Sequence, residues 1–288
     1  MMRPWQQGRI MPHCMSFSIH QPTGATRVSA SRRSIEDFLA PLEKLSTTSH
    51  SLLSKPLPCF EVDSQSYRLP RYIFIGPKGG DDPIRLGIFA GIHGNEPEGP
   101  SALAQFIQVI ESEPAIAKDF CLFIYPLCNP TGYEDNTRCS RRGRDLNREF
   151  WNNSVEPEVE LLEREICSHA FHGMVSLHSS DSSDGMHGFV HGATLTRNLI
   201  EPALKAAGEL LPLAQSGLID GLQSRNGIIR AEYQGALSGP PKIRPKPFEI
   251  ELITPKAAPV FLQTRALVSA LISILSEYRK LKAYASNL

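Results

Sequence analysis

The sequence predicts an α/β fold, a three-layer sandwich with helices packed on both faces of a mostly parallel central sheet. Three observations predict it. Apolar runs of strand length alternate with stretches of helical spacing along most of the chain. Three of those runs deliver a polar side chain at their ends, His93, His178 and Glu251, and ligands of open α/β sheets bind beyond the carboxyl ends of strands. The chain has 288 residues, 41% of them hydrophobic, enough to bury one large core.

Each element follows from local pattern. Residues 1–33 carry five arginines, several Ser and Thr and no acidic residue, a bias shared with organelle transit peptides; the preferred reading is a disordered tail. Ser34-Ile-Glu-Asp37 then supplies an N-cap with acidic residues in the first turn. It opens a helix on Phe38, Leu39, Leu42 and Leu45, with Pro41 as a potential kink. Tyr72–Ile75 and Ile84–Ile92 read as strands, Ala102–Ile110 as a helix and Phe120–Leu127 as a strand. Glu156-Pro157 starts a helix with proline in its first turn and Val159, Leu162 and Ile166 on one face. A strand through Met174–Leu177, a helix near 195–211, a strand through Phe248–Ile250 and a last helix from about Val260 to Lys280 follow. Segment 212–247 is rich in Gly and Pro without clean periodicity and is expected to form loops near the site. One catalytic domain over 34–288 is the expectation.

Composition narrows the function classes. Thirty basic and 30 acidic residues leave no net charge, so nucleic acid and anionic membrane are not expected partners. No run reaches the roughly 18 uninterrupted apolar residues of a membrane span, and the N-terminus has no apolar signal-peptide core. A soluble, cytoplasmic protein is expected. The six cysteines include no Cys-x-x-Cys pair, which favours reduced thiols over a disulfide framework.

The chemistry starts at Leu86–Glu96, where a buried-looking strand delivers His93 and Glu96 three residues apart. A catalytic zinc needs three protein ligands and an open fourth position, and His178, after Met174–Leu177, is the best supplier of the third. His169 and His172 fall near a helix end, whereas His187 and His191 sit in a glycine-rich stretch and are read as pocket-lining at most. Glu251 and Glu249 share strand parity, so either is a candidate general base. Five arginines crowd residues 138–148.

Taken in order, Gly-x-His93-Gly-Asn-Glu96, Asn129-Pro-x-Gly132, Thr137-Arg138, Gly143-x-Asp145-Leu-Asn147-Arg148-x-Phe150, Leu177-His178-Ser179 and Phe248-x-Ile-Glu251-Leu resemble the zinc carboxypeptidase (carboxypeptidase A-like) superfamily. That superfamily includes the succinylglutamate desuccinylase/aspartoacylase branch, and the resemblance covers roughly residues 70–280. It implies a mixed central sheet and one Zn2+ per chain on His93, Glu96 and His178. It also selects Glu251 over Glu249 as the base, gives Arg138 the task of polarising the scissile carbonyl, and assigns Asn147 and Arg148 to a substrate carboxylate. Ser140 stands where relatives often carry Asn. A mobile tyrosine of the family has Tyr233 as its nearest counterpart, and Asp145 reads as loop support.

The resemblance implies a metallocarboxypeptidase acting on small peptides, or an N-acyl-amino-acid amidohydrolase with the same centre. A non-catalytic binding module is the third reading. Thr254–Pro259 leads into a single helix where the acylase branch usually continues into a β-rich region, which inclines the expectation towards the carboxypeptidase. The partner is then a small peptide or N-acyl amino acid with a free carboxylate. The surplus arginines further suggest substrates with more than one carboxylate.

Overall fold

Ser34 is the N-cap of the first described element, its side chain accepting from the Asp37 N–H at 3.0 Å to open α1 (Ile35–Thr48), which runs through Pro41 without interruption. The computed structural model describes residues 32–77, 82–231 and 235–285, all in the unit that starts at Arg32. Residues 1–31 of the expected tail and Tyr233 therefore lie outside the described residues. Arg33, placed in that tail by composition, donates its backbone N–H to Glu134 O (3.0 Å) and its guanidinium to Gly94 O (2.9 Å).

The strands are β1 (Leu52–Ser54), β2 (Phe60–Val62), β3 (Gln65–Tyr67), β4 (Tyr72–Ile75), β5 (Ile84–Ala90), β6 (Phe120–Tyr125), β7 (Gly173–Ser180), β8 (His187–Val190), β9 (Gly217–Ile219), β10 (Leu222–Arg225), β11 (Ile228–Ile229) and β12 (Phe248–Pro255). After α1 the helices are α2 (Glu98–Ser112), α3 (Pro130–Asp135), α4 (Pro157–His169), α5 (Ala193–Leu195), α6 (Glu201–Ala207) and α7 (Val260–Ala285), with a π-helical turn at Thr196–Ile200. Ten strands form one sheet in the order β1-β4-β6-β5-β7-β12-β8-β11-β10-β9. Its centre, β6-β5-β7-β12, is parallel, and its flanks are mostly antiparallel. The α/β sandwich with a mixed sheet is borne out.

Strand alternation feeds two cores. On one face Leu86, Ile88, Val175, Leu177, Ile250 and Leu252 pack with residues of α1, α2, α6 and α7. On the other, Phe89, Phe123, Tyr125 and Met174 pack with Val159, Leu162 and Ile166 of α4. Glu249 and Glu251 share the parity of this second face, as do Ser176 and His178, because β12 pairs β7 in parallel register with Glu251 beside Ser176 and Ile253 beside His178.

Three expectations are corrected. Segment 212–247 is not all loop: it extends the sheet by β9, β10 and β11. Asp220-Gly221 and Asn226-Gly227 make its turns with positive φ (50° and 78°, 53° and 76°), the dipeptides that favour tight hairpins. Neither Glu251 nor His178 ends a strand: Glu251 lies inside β12 and His178 inside β7. α7 has an 18-residue window of mean hydropathy 1.4, so by length and composition it could cross a membrane; the sequence expectation counted only uninterrupted runs. Here Leu267, Leu271, Ile274 and Leu275 of α7 are buried in the first core.

Candidate metal centre and substrate cleft

Past the end of β5, Gly91 takes φ +66°, a left-handed turn that glycine makes at little cost. The loop that follows carries His93 and Glu96 and runs into α2. Gly94 must be glycine for a different reason: a Cβ there would lie 1.9 Å from the Gly132 carbonyl carbon and 2.2 Å from Tyr133 N. The Asn129-Pro-x-Gly132 motif builds that contact surface. Asn129 caps α3 by accepting from Gly132 N at 2.8 Å and donates to Ile92 O at 3.1 Å, tying the helix to the loop.

His93, Glu96 and His178 converge, with one potential ligand atom from each lying within 4.8 Å of the others. His93 Nδ1 is 2.8 Å from Glu96 Oε1, and His178 Nδ1 is 3.1 Å from Oε2. Ser179 N also donates to Oε2 at 3.1 Å. All three side chains are buried, with residue exposures of 4%, 3% and 5%. Burial alone would raise the Glu96 carboxyl, but the two imidazoles hold it well below the usual carboxylate range. Burial pulls His93 down, yet Glu96 and then Asp145 more than offset this and leave it raised. Two imidazole nitrogens and a carboxylate held this way are a donor set that fits a borderline-soft dication such as zinc.

Asp145 does more than support its loop. Its Oδ1 lies 3.1 Å from His93 Nε2 and accepts from Asn147 N at 3.1 Å, while its Oδ2 takes Arg138 Nε at 3.1 Å. Against the cost of burial, His93 and Arg138 hold its carboxyl well below the ordinary range. The signal was in the sequence, in the Asp145-Leu-Asn147-Arg148 block, but its partner lies 52 positions away. His178 has no such support: its Nε2 is buried without a partner among the described residues. Ser179 Oγ reaches Glu98 Oε2 at 3.1 Å, a buried carboxyl that desolvation raises.

A cleft of about 270 Å³ opens on this centre, and Arg138, Asn147, Arg148 and Glu251 line it with the three metal-competent residues. Arg138 Nη1 is 3.6 Å from Glu96 Oε1. Asn147 is held by accepting from Leu237 N at 2.9 Å. Glu249 instead accepts from Gly239 N at 2.7 Å and lies 3.7 Å from Lys246 Nζ, in a cavity that adjoins the cleft at Phe189 and Glu251. His169 pairs with Glu165 and His172 accepts from Arg85 N, so neither approaches the centre. Sequence reasoning did not single out Asp220, Ser180 or Ser182, which line the same cleft with His187.

The other arginines of the 138–148 loop turn elsewhere. Arg141 binds Asp135 and Glu134 at 2.7 and 2.6 Å, Arg142 reaches Val155 O, and Arg144 lies 3.8 Å from Glu149. The suggestion of a multiply carboxylated substrate therefore loses its basis. Ser140 donates to Glu156 Oε2 at 2.9 Å, and Arg138 is positioned by Asp145 instead.

Residues 83–215 match the family model of the succinylglutamate desuccinylase/aspartoacylase catalytic domain. No curated protein matches the chain significantly. Among solved structures, a proposed metallopeptidase from Shewanella denitrificans superposes with TM-score 0.70 at 22% identity, covering 84% of this chain and 90% of its own. A metallo-carboxypeptidase from Burkholderia cenocepacia gives 0.67 at 13% identity, covering 87% and 70%. Carboxypeptidase A from Helicoverpa armigera gives 0.65 at 14% identity, covering 88% and 75%. These likenesses are of fold.

Proposed function

We propose that the chain is a zinc-dependent hydrolase of the zinc carboxypeptidase superfamily, the succinylglutamate desuccinylase/aspartoacylase branch included, a reading supported by the family-model match over residues 83–215 and by the shared fold. Its reaction is cleavage of the amide bond next to a free carboxylate, with a small peptide as substrate. The observation that carries this reading is one cleft lined by His93, Glu96, His178, Glu251, Arg138, Asn147 and Arg148.

His93, Glu96 and His178 would hold the ion. A bound zinc supplies Lewis-acid activation of water and of the substrate carbonyl. Glu251 takes the proton of the attacking water and returns it to the leaving nitrogen, the two halves of general acid–base catalysis. Arg138 places its guanidinium where negative charge develops on the carbonyl oxygen, and Asp145 fixes its direction. Arg148, with Asn147 beside it, holds the substrate carboxylate, for which a planar guanidinium offers a paired set of donors.

A second reading is favoured by one observation, the match to the desuccinylase/aspartoacylase model: the same machinery would hydrolyse an N-acyl amino acid. Zinc content and turnover of a panel of dipeptides, γ-glutamyl peptides and N-acyl amino acids test both readings. The expected result is one zinc per chain, lost in His178→Ala and kept in an inactive Glu251→Gln, with the best substrate choosing between peptide and acyl amino acid. Normal zinc binding by His178→Ala would overturn the ligand assignment.

A further inference from the structure

The cleft is divided in charge. Arg138 and Arg148 are its cations, and both are assigned above to the carbonyl and the substrate carboxylate. A second group of lining residues, Ser180, Ser182, His187 and Asp220, has no task in that chemistry. Asp220 sits in the turn between β9 and β10, and among the described residues no cation pairs with it. Its charge nonetheless acts on His187. His187 is 1% exposed, and its Nδ1 is 3.2 Å from Gly185 O. A neutral ring that donates there presents Nε2 as an acceptor. Ser180 and Ser182 lie hydroxyl to hydroxyl at 2.8 Å.

The second group thus offers a carboxylate, an imidazole acceptor and two hydroxyls, and it contains no cation. With the carboxylate end of the substrate on Asn147 and Arg148, and the scissile amide between Arg138 and Glu251, the acyl portion is what remains to meet it. We propose that Asp220 is a specificity-determining residue and that the acyl portion of the substrate carries a primary ammonium group, a free peptide α-amine being the simplest. The inference rests on the hydrolase reading above and deepens it. An ammonium gains a charge-assisted hydrogen bond from Asp220, whereas the second carboxylate of a succinyl group would meet a like charge.

The test compares alanyl-alanine with N-acetyl-alanyl-alanine, which share the scissile bond and the C-terminal carboxylate and differ in the amine. Hydrolysis is measured with the zinc-loaded wild type, and binding by calorimetry with zinc-loaded Glu251→Gln. The same pair is then run with Asp220→Asn in each background. Asparagine tolerates the φ of +50° at this position, so the turn is retained, and an unchanged melting temperature checks it.

The free amine is expected to be favoured about tenfold or more in kcat/KM and in Kd, the size of one hydrogen bond to a charged group. In Asp220→Asn the preference falls to within about twofold, as expected on losing that bond. An undiminished preference in Asp220→Asn, a wild-type preference for the acetylated ligand, or binding of neither ligand would overturn the inference. If neither ligand is hydrolysed but the binding preference exists and depends on Asp220, the hydrolase reading fails and the ammonium site stands.

Discussion

His93 Nε2 and Asp145 Oδ1 lie 3.1 Å apart, so the ring whose Nδ1 faces Glu96 Oε1 has its other nitrogen held by a carboxylate. In the proposed metal site that arrangement would fix the tautomer and raise the basicity of the nitrogen facing the ion. Asp145→Asn is expected to weaken zinc binding by about 10- to 100-fold, the usual effect of losing such a partner. Competition against a chelator of known affinity measures it, and unchanged affinity would show that Asp145 serves only its loop. Arg138 shares this carboxylate, so turnover should fall further than metal affinity alone accounts for.

In the roles proposed for them, Arg138 at the scissile carbonyl and Arg148 at the substrate carboxylate, the two arginines are expected to separate kinetically. Arg138→Ala removes a donor aimed at developing charge and should lower kcat by about 10²- to 10³-fold. Arg148→Ala removes a contact made equally to bound substrate and transition state, so KM rises with kcat little changed. Steady-state kinetics on the best panel substrate distinguish them. A matching loss of kcat in both would mean that the two arginines act as one unit on the carbonyl.

Gly94 lies so close to the start of α3 that a Cβ would sit 1.9 Å from backbone. Gly94→Ala should push the metal loop away from Gly132, lowering both the melting temperature and zinc affinity. Thermal unfolding with and without zinc would show it. A fully stable variant would mean that the loop shifts freely and that the Asn129 contact to Ile92 does not hold it.

Glu158 gives the expected pH dependence of stability. Both its carboxylate oxygens are buried without a partner among the described residues, and burial, with Glu156 nearby, pushes the group up from 4.5 to about 7. The folded protein therefore keeps a proton that the unfolded chain releases above about 4.5, and folding stability falls as pH rises from there to about 7. The difference is on the order of 3 kcal/mol. Relative to wild type, Glu158→Gln should become more stable between pH 4 and pH 8 by up to that amount. Chemical denaturation at the two pH values checks it, and a difference that does not grow with pH would show that Glu158 is not held protonated.

Much of the fold was legible because its signals are local. The N-cap Ser34, the proline at the start of α4 and the apolar runs of β5, β7 and β12 each declare an element within a few residues. The parity that sets Glu249 and Glu251 apart from Ile250 was readable in the same way. β9, β10 and β11 were missed because they are two to four residues long, too short for periodicity to register, although Asp220-Gly221 and Asn226-Gly227 marked their turns. The arginine cluster misled because its composition does not reveal that Arg141, Arg142 and Arg144 are satisfied away from the cleft.

By itself the sequence determined the elements, their buried faces, and the residue types able to bind a metal or move a proton. These depend on backbone periodicity and side-chain chemistry, which are properties of short segments. Only the tertiary structure decided which of those residues meet. Glu96 reaches His178 across 82 positions and His93 reaches Asp145 across 52. The stagger of β12 beside β7 turns a mid-strand Glu251 into a cleft residue. Asp220 joins the cleft through a hairpin added at the sheet's far edge. Strand register and loop path are set by long-range packing, so convergence on one cleft is a property of the whole core and not of any motif.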